Sequence, residues 1–91
     1  MAWEAKTGQA VAIDFAAYDE VGAALSGVLS WTKKAFKDGV DVSGSLSVTV
    51  SEIGTTGIYS ASFTPATDGR YLLTFQASGY DEIYALEVNA L

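Results

Sequence analysis

The chain contains no cysteine and no histidine. Disulfides therefore contribute nothing to its stability, and thiol and imidazole catalysis are excluded. Zinc, haem and iron–sulfur sites lose their usual sulfur and nitrogen ligands. Cations are scarce: five Lys and Arg stand against eleven Asp and Glu, for a net charge of −6. Such a chain repels a phosphate backbone, so nucleic acid is not an expected partner. No stretch approaches the ~18 consecutive apolar residues of a helical membrane span. The opening MAWEAKTG has neither the basic nor the apolar region of a signal peptide. The expectation is a soluble protein made in the cytoplasm, with no membrane partner and no cofactor.

What is present points to one small core. The 91 residues are 49% hydrophobic, 12% aromatic and 18% charged, too apolar and too weakly charged for a disordered chain. For so short a chain, that apolar content suggests surface covered by a partner or by other copies. Residues 58–64 and 71–76 alternate cleanly: Tyr59, Ala61 and Phe63 share one face, as do Tyr71, Leu73 and Phe75. Period-two alternation of aromatic and aliphatic residues predicts two half-buried strands. Pro65 ends the first, because it has no N–H for a ladder, and Asp68-Gly69 turns the chain into the second.

The same pattern predicts further strands over residues 9–18, 27–37, 43–51 and 82–89, with a short strand or arm at the N-terminus (residues 1–8). Their inward sets are Val11, Ile13, Phe15 and Ala17; Leu29, Trp31 and Ala35; Leu46, Val48 and Val50; and Tyr84, Leu86 and Val88. Asp38-Gly39 carries a hairpin signal. The hydroxyl-rich face of SGSLSVTVS invites unwanted pairing, so that strand should be paired or short. The absence of a tail after Leu91 reads as a complete small protein.

The segment GIYSASFTPATDGRYLLTF resembles the G-x-Y-x-x-x-F-T-P…G-x-Y stretch of filamin-type immunoglobulin-like domains. With the opening AIDFAAYDEVGAALSGVLSW it also resembles immunoglobulin-like modules attached to tailed-phage virion proteins. The resemblance implies a single all-β domain over residues 1–91, an immunoglobulin-like antiparallel sandwich of about seven strands. It makes Trp31 similar to the central tryptophan of such sandwiches. Asp68-Gly69-Arg70-Tyr71 resembles their tyrosine corner, with the Asp one residue closer than usual. Leu73 stands where the disulfide cysteine would be.

Candidate sites are weighed against plain structural roles. The carboxylates fall mostly in predicted turns, and none forms an EF-hand loop. No nucleophile–base set or phosphate-cradling loop is present, so no catalytic residue and no metal ligand is assigned. Trp3 either caps its own sandwich or reaches a neighbouring subunit. Tyr18, Phe36 and Tyr80 fall outside the inward registers; each either packs over a sandwich end or meets a protein or sugar. Lys33, Lys34 and Lys37 either guard a strand end or form a basic patch. Ala12 and Ala85 sit on outer faces poor in charge. These nine residues are the candidate interface. The expected function is non-enzymatic: a virion-surface protein of a tailed phage that decorates or cements the capsid. Its partners would be the major capsid protein or another virion protein and further copies of itself. The alternative is a tail, baseplate or fibre module that binds host-surface glycans or a receptor.

Overall fold

The computed structural model describes residues 3–28 and 30–91. Among the described residues eight strands follow one another: β1 (Trp3–Ala5), β2 (Val11–Ala16), β3 (Trp31–Lys37), β4 (Val40–Asp41), β5 (Thr49–Glu52), β6 (Ile58–Phe63), β7 (Gly69–Ala77) and β8 (Ile83–Ala90). They form a five-stranded sheet ordered β1-β8-β7-β3-β4 and a three-stranded sheet ordered β2-β6-β5. β1 runs parallel to β8, and every other neighbouring pair is antiparallel. The count is eight rather than about seven because the two-residue β4 closes a hairpin on β3.

The core lies between the sheets, built from the faces that the alternation marks. Ile13, Phe15, Tyr59, Ala61, Phe63, Tyr71, Leu73, Phe75 and Val88 are all buried. Phe15 stacks on Phe75 at 5.1 Å and meets Trp31 edge-on at 5.5 Å. Trp31 is half-buried, also edge-on to Tyr59 at 5.0 Å, and its indole N–H is sealed from solvent with no hydrogen-bond partner among the described residues. Leu29, expected inward beside Trp31, lies outside the described residues.

Three predicted strands are shorter in the structure, and of residues 9–18 only Val11–Ala16 pair as a strand. The stretch from Gly27 joins the ladder only at Trp31, because side chains capture its backbone first. Gly27 N–H donates to Glu52 at 2.9 Å, and Val28 N–H to the Tyr59 hydroxyl at 3.1 Å. Likewise SGSLSVTVS pairs only from Thr49. The Val42 carbonyl accepts from the N–H groups of both Ser45 and Leu46 at 3.0 Å, forming a turn. The Ser43 hydroxyl accepts the Ala35 N–H at 2.9 Å. Leu46, Val48 and Val50 nonetheless pack partly buried against the core.

The turns follow their chemistry. Asp38 (φ 50°) and Gly39 (φ 86°) both adopt positive φ, as a two-residue hairpin turn demands. The Tyr71 hydroxyl donates to the Thr67 carbonyl at 2.8 Å, tying the strand start to backbone four residues upstream, as a tyrosine corner does. Asp68 instead accepts the Thr7 hydroxyl.

Candidate interaction surfaces

The outer face of the five-stranded sheet is set by its register. Cross-strand rows run Phe36–Leu72–Glu87, Lys34–Thr74–Ala85 and Thr32–Gln76–Ile83. Ile83 is 61% exposed and Leu72 36%. Arg70 pairs with Glu87, so some of the charge on this face is internally compensated. Phe36, Leu72, Arg70, Asp38 and Gly39 line one shallow depression near the β3–β4 hairpin.

The outer face of the three-stranded sheet is plainer. Its rows are Ala16–Ile58, Asp14–Ser60–Ser51 and Ala12–Ser62–Thr49. Asp14 is the single charge in these rows, and the rest are hydroxyls, alanines and one isoleucine.

One end of the sandwich gathers Tyr18 and Tyr80 with Asp19, Glu20, Asp81 and Glu82 around a small depression. Tyr18 is 52% exposed, while its backbone N–H and carbonyl both bond the Tyr84 hydroxyl, at 3.0 and 3.2 Å. Tyr80 is half-buried against the core, and its carbonyl accepts from Gln76 at 2.9 Å. Trp3 pairs with Val88 at the sheet edge and remains 52% exposed.

The three lysines do not lie together. Neighbours along a strand point to opposite faces, so Lys33 follows Trp31 and Ala35 while Lys34 joins the outer face. Lys33 Nζ donates to the Val48 carbonyl at 2.9 Å, and Lys37 Nζ lies 3.2 Å from Asp38. Of the nine candidate residues, Phe36, Lys34 and Ala85 share the large outer face. Tyr18 and Tyr80 share one end, and Ala12 belongs to the small sheet. The sequence reading does not single out Leu72 or Val40, although Val40 is 65% exposed.

Several turn carboxylates serve the backbone. Asp19 accepts the N–H groups of Val21 and Ala23, and Asp41 that of Ser43. Glu52 takes three donors: Gly27 N–H, Gly57 N–H and the Ser26 hydroxyl. Among the described residues no group of three or more carboxylates is placed to hold a metal ion. Hydrogen bonds lower the carboxyl pKa of Glu52, led by Gly27 N–H and then Gly57 N–H. The Arg70 N–H, then Lys37, lowers that of Asp38, and Ser43 lowers that of Asp41.

A carboxyl whose pKa falls on folding stabilises the fold above its unfolded pKa and loses that contribution as pH falls through its folded pKa. The melting temperature should therefore begin to drop below about pH 4.5, where unfolded carboxylates start to protonate. In Glu52→Gln that acid-side loss should be smaller, and thermal melts across the acid range check it. An unchanged pH profile in Glu52→Gln would show that this brace carries no linkage.

No family model matches the chain, and no curated protein sequence matches it. Among solved structures, the chain is similar to the Lin-41 filamin domain, with TM-score 0.66 and 20% identity over 94% of this chain and 82% of that one. It is similar to S-layer protein SbsC domains 4 and 5, with TM-score 0.63 and 17% identity over 99% of this chain. It spans 41% of that longer structure. Titin M3 aligns at TM-score 0.49 and 19% identity, covering 98% and 86% of the two chains. The architecture is that of an immunoglobulin-like β-sandwich, the fold shared with the Lin-41 filamin domain.

Proposed function

We propose that this immunoglobulin-like sandwich is a non-enzymatic structural module that works by protein–protein contact, in many copies, on an assembled particle. The assembly favoured by the sequence resemblance is the virion surface of a tailed phage, with the major capsid protein or another virion protein as partner. The observation that carries this reading is the outer face of the three-stranded sheet, whose rows hold one charge, Asp14, among alanine, isoleucine and hydroxyl residues. On the opposite sheet the outer rows Lys34–Thr74–Ala85 and Thr32–Gln76–Ile83 add a second area whose one charge is Lys34. Structural neighbours from an S-layer protein and a filamin domain are consistent with a structural role.

Removing apolar area from water yields ~25 cal/mol per Å². Association costs on the order of 4–15 kcal/mol, so one small face binds weakly and several faces, or many copies, are needed. Ser62→Lys and Ala85→Lys place a charge on each face without touching the core. Both variants should melt like wild type yet fail to co-sediment with particles that wild-type protein binds. Undiminished binding by both would sink these faces as the contact. A protein that binds no particle would sink the function.

The shared end of Tyr18 and Tyr80 favours a second reading, adsorption to a host-surface glycan through aromatic stacking. It predicts glycan binding that Tyr18→Ala abolishes, whereas shell decoration predicts no sugar affinity.

A further inference from the structure

A β-sandwich keeps its copies apart by guarding its sheet edges with short strands, lysine, proline, bulges or covering loops. Three of the four edges here are short: β1 has three residues, β4 two and β5 four. The fourth, β2, is six residues long and pairs with β6 at every position without a bulge. Its sequence VAIDFA holds no lysine, arginine or proline. Among the described residues, no backbone group of Val11–Ala16 bonds on the side away from β6. The result is an open, regular edge about 20 Å long.

We propose that this edge pairs with β2 of a second copy, antiparallel across a two-fold axis, joining two three-stranded sheets into one of six strands. The strand itself selects the register. Residues opposite one another in an antiparallel pair share a face, so inward Ile13 must meet an inward residue of the other copy. Centring the axis on Asp14 would set the two Asp14 carboxylates opposite each other, and like charges directly opposed are destabilising. Centring it on Ile13 sets Asp14 against Ala12 of the second copy, and Val11 against Phe15. The edge then has no charge conflict with itself, and the small Ala12 and Ala16 side chains leave the joined outer face flat. The two copies repel through their net charge of −6 each, so association strengthens as salt screens that repulsion. A dimer held by ion pairs would show the reverse.

The pairing is independent of the assembly proposed above and is read on the isolated protein. Sedimentation velocity over a concentration series should show wild-type dimers that tighten with added sodium chloride. Ala12→Glu places a carboxylate opposite Asp14, and the two-fold axis makes that conflict occur twice. Its dimer should weaken about tenfold. Ala12→Lys should tighten it. The double variant Ala12→Glu/Asp14→Lys restores an opposite-charge pair in the same register and should recover wild-type strength or better. Thermal melts confirm that each variant folds. A wild type that stays monomeric at roughly millimolar concentration overturns the proposal. So does a dimer indifferent to Ala12→Glu, or a double variant as weak as Ala12→Glu alone. Loss of particle binding in Ser62→Lys with dimerisation intact would separate the face contact from the edge contact.

Discussion

Tyr59→Ala is expected to leave the domain largely unfolded under conditions where wild type is stable. Tyr59 is fully buried, stacks on Phe15 at 5.9 Å and meets Trp31 edge-on at 5.0 Å. Its hydroxyl donates to the Leu25 carbonyl at 2.7 Å and accepts the Val28 N–H at 3.1 Å. Truncating a buried aromatic costs ~3–5 kcal/mol. A domain of this size has roughly 5–14 kcal/mol in all, so the loss takes a large share of the total. Tyr59→Phe separates the ring from its hydroxyl. It keeps the packing but leaves a carbonyl and an N–H without partners, for about 1–3 kcal/mol each at most. Urea titrations that compare midpoints at constant slope measure both. A Tyr59→Phe variant as stable as wild type would show that the Leu25–Val28 segment finds water instead.

The second large effect concerns Trp31. Its ring packs on Phe15, Tyr59 and, with centroids 6.3 Å apart, Tyr84, so Trp31→Ala strips one side of the aromatic cluster around Phe15. Because the residue is half-buried, the loss should sit near the lower end of the aromatic range, about 3 kcal/mol. Trp31→Phe behaves differently. It forfeits some of the packing but also removes the sealed indole N–H, a buried donor whose missing partner costs about 1–3 kcal/mol. The two changes offset, and the variant should fall within about 1 kcal/mol of wild type. If Trp31→Ala melts within about two degrees of wild type, the indole is not in the core.

These two residues also show how far the sequence could be read. Tyr59 and Phe63, with Tyr71, Leu73 and Phe75 across the turn, are legible because strict alternation fixes which side chains go inward. Pro65 and Asp68-Gly69 then fix where the strands stop. The same alternation runs through Leu46, Val48 and Val50, yet the ladder begins only at Thr49. Alternation reports which side faces the core, and a loop held against that core by Val42 and Ser43 satisfies it equally well. Lys33 and Lys34 are a different case. Their divergence follows from strand parity once Trp31 is taken as inward, so the separation was present in the sequence. The open edge of β2 was not. Strand order is a property of non-local pairing, and nothing within VAIDFA tells which of its two sides will find a partner.

The parallel pairing of β1 with β8 has a mechanical consequence. Trp3–Ala5 lies beside Val88–Ala90 in the same direction, and the contact is extended by Leu91 N–H to Ala5 at 2.9 Å and Thr7 N–H to the Leu91 carbonyl at 3.0 Å. Tension applied between Trp3 and Leu91 pulls the two strands lengthwise past each other. Their hydrogen bonds then share the load in shear. A hairpin pulled open at its mouth breaks its bonds in succession and yields at lower force. Stretched between neighbours, this small sandwich would resist through the pairing of its first strand with its last.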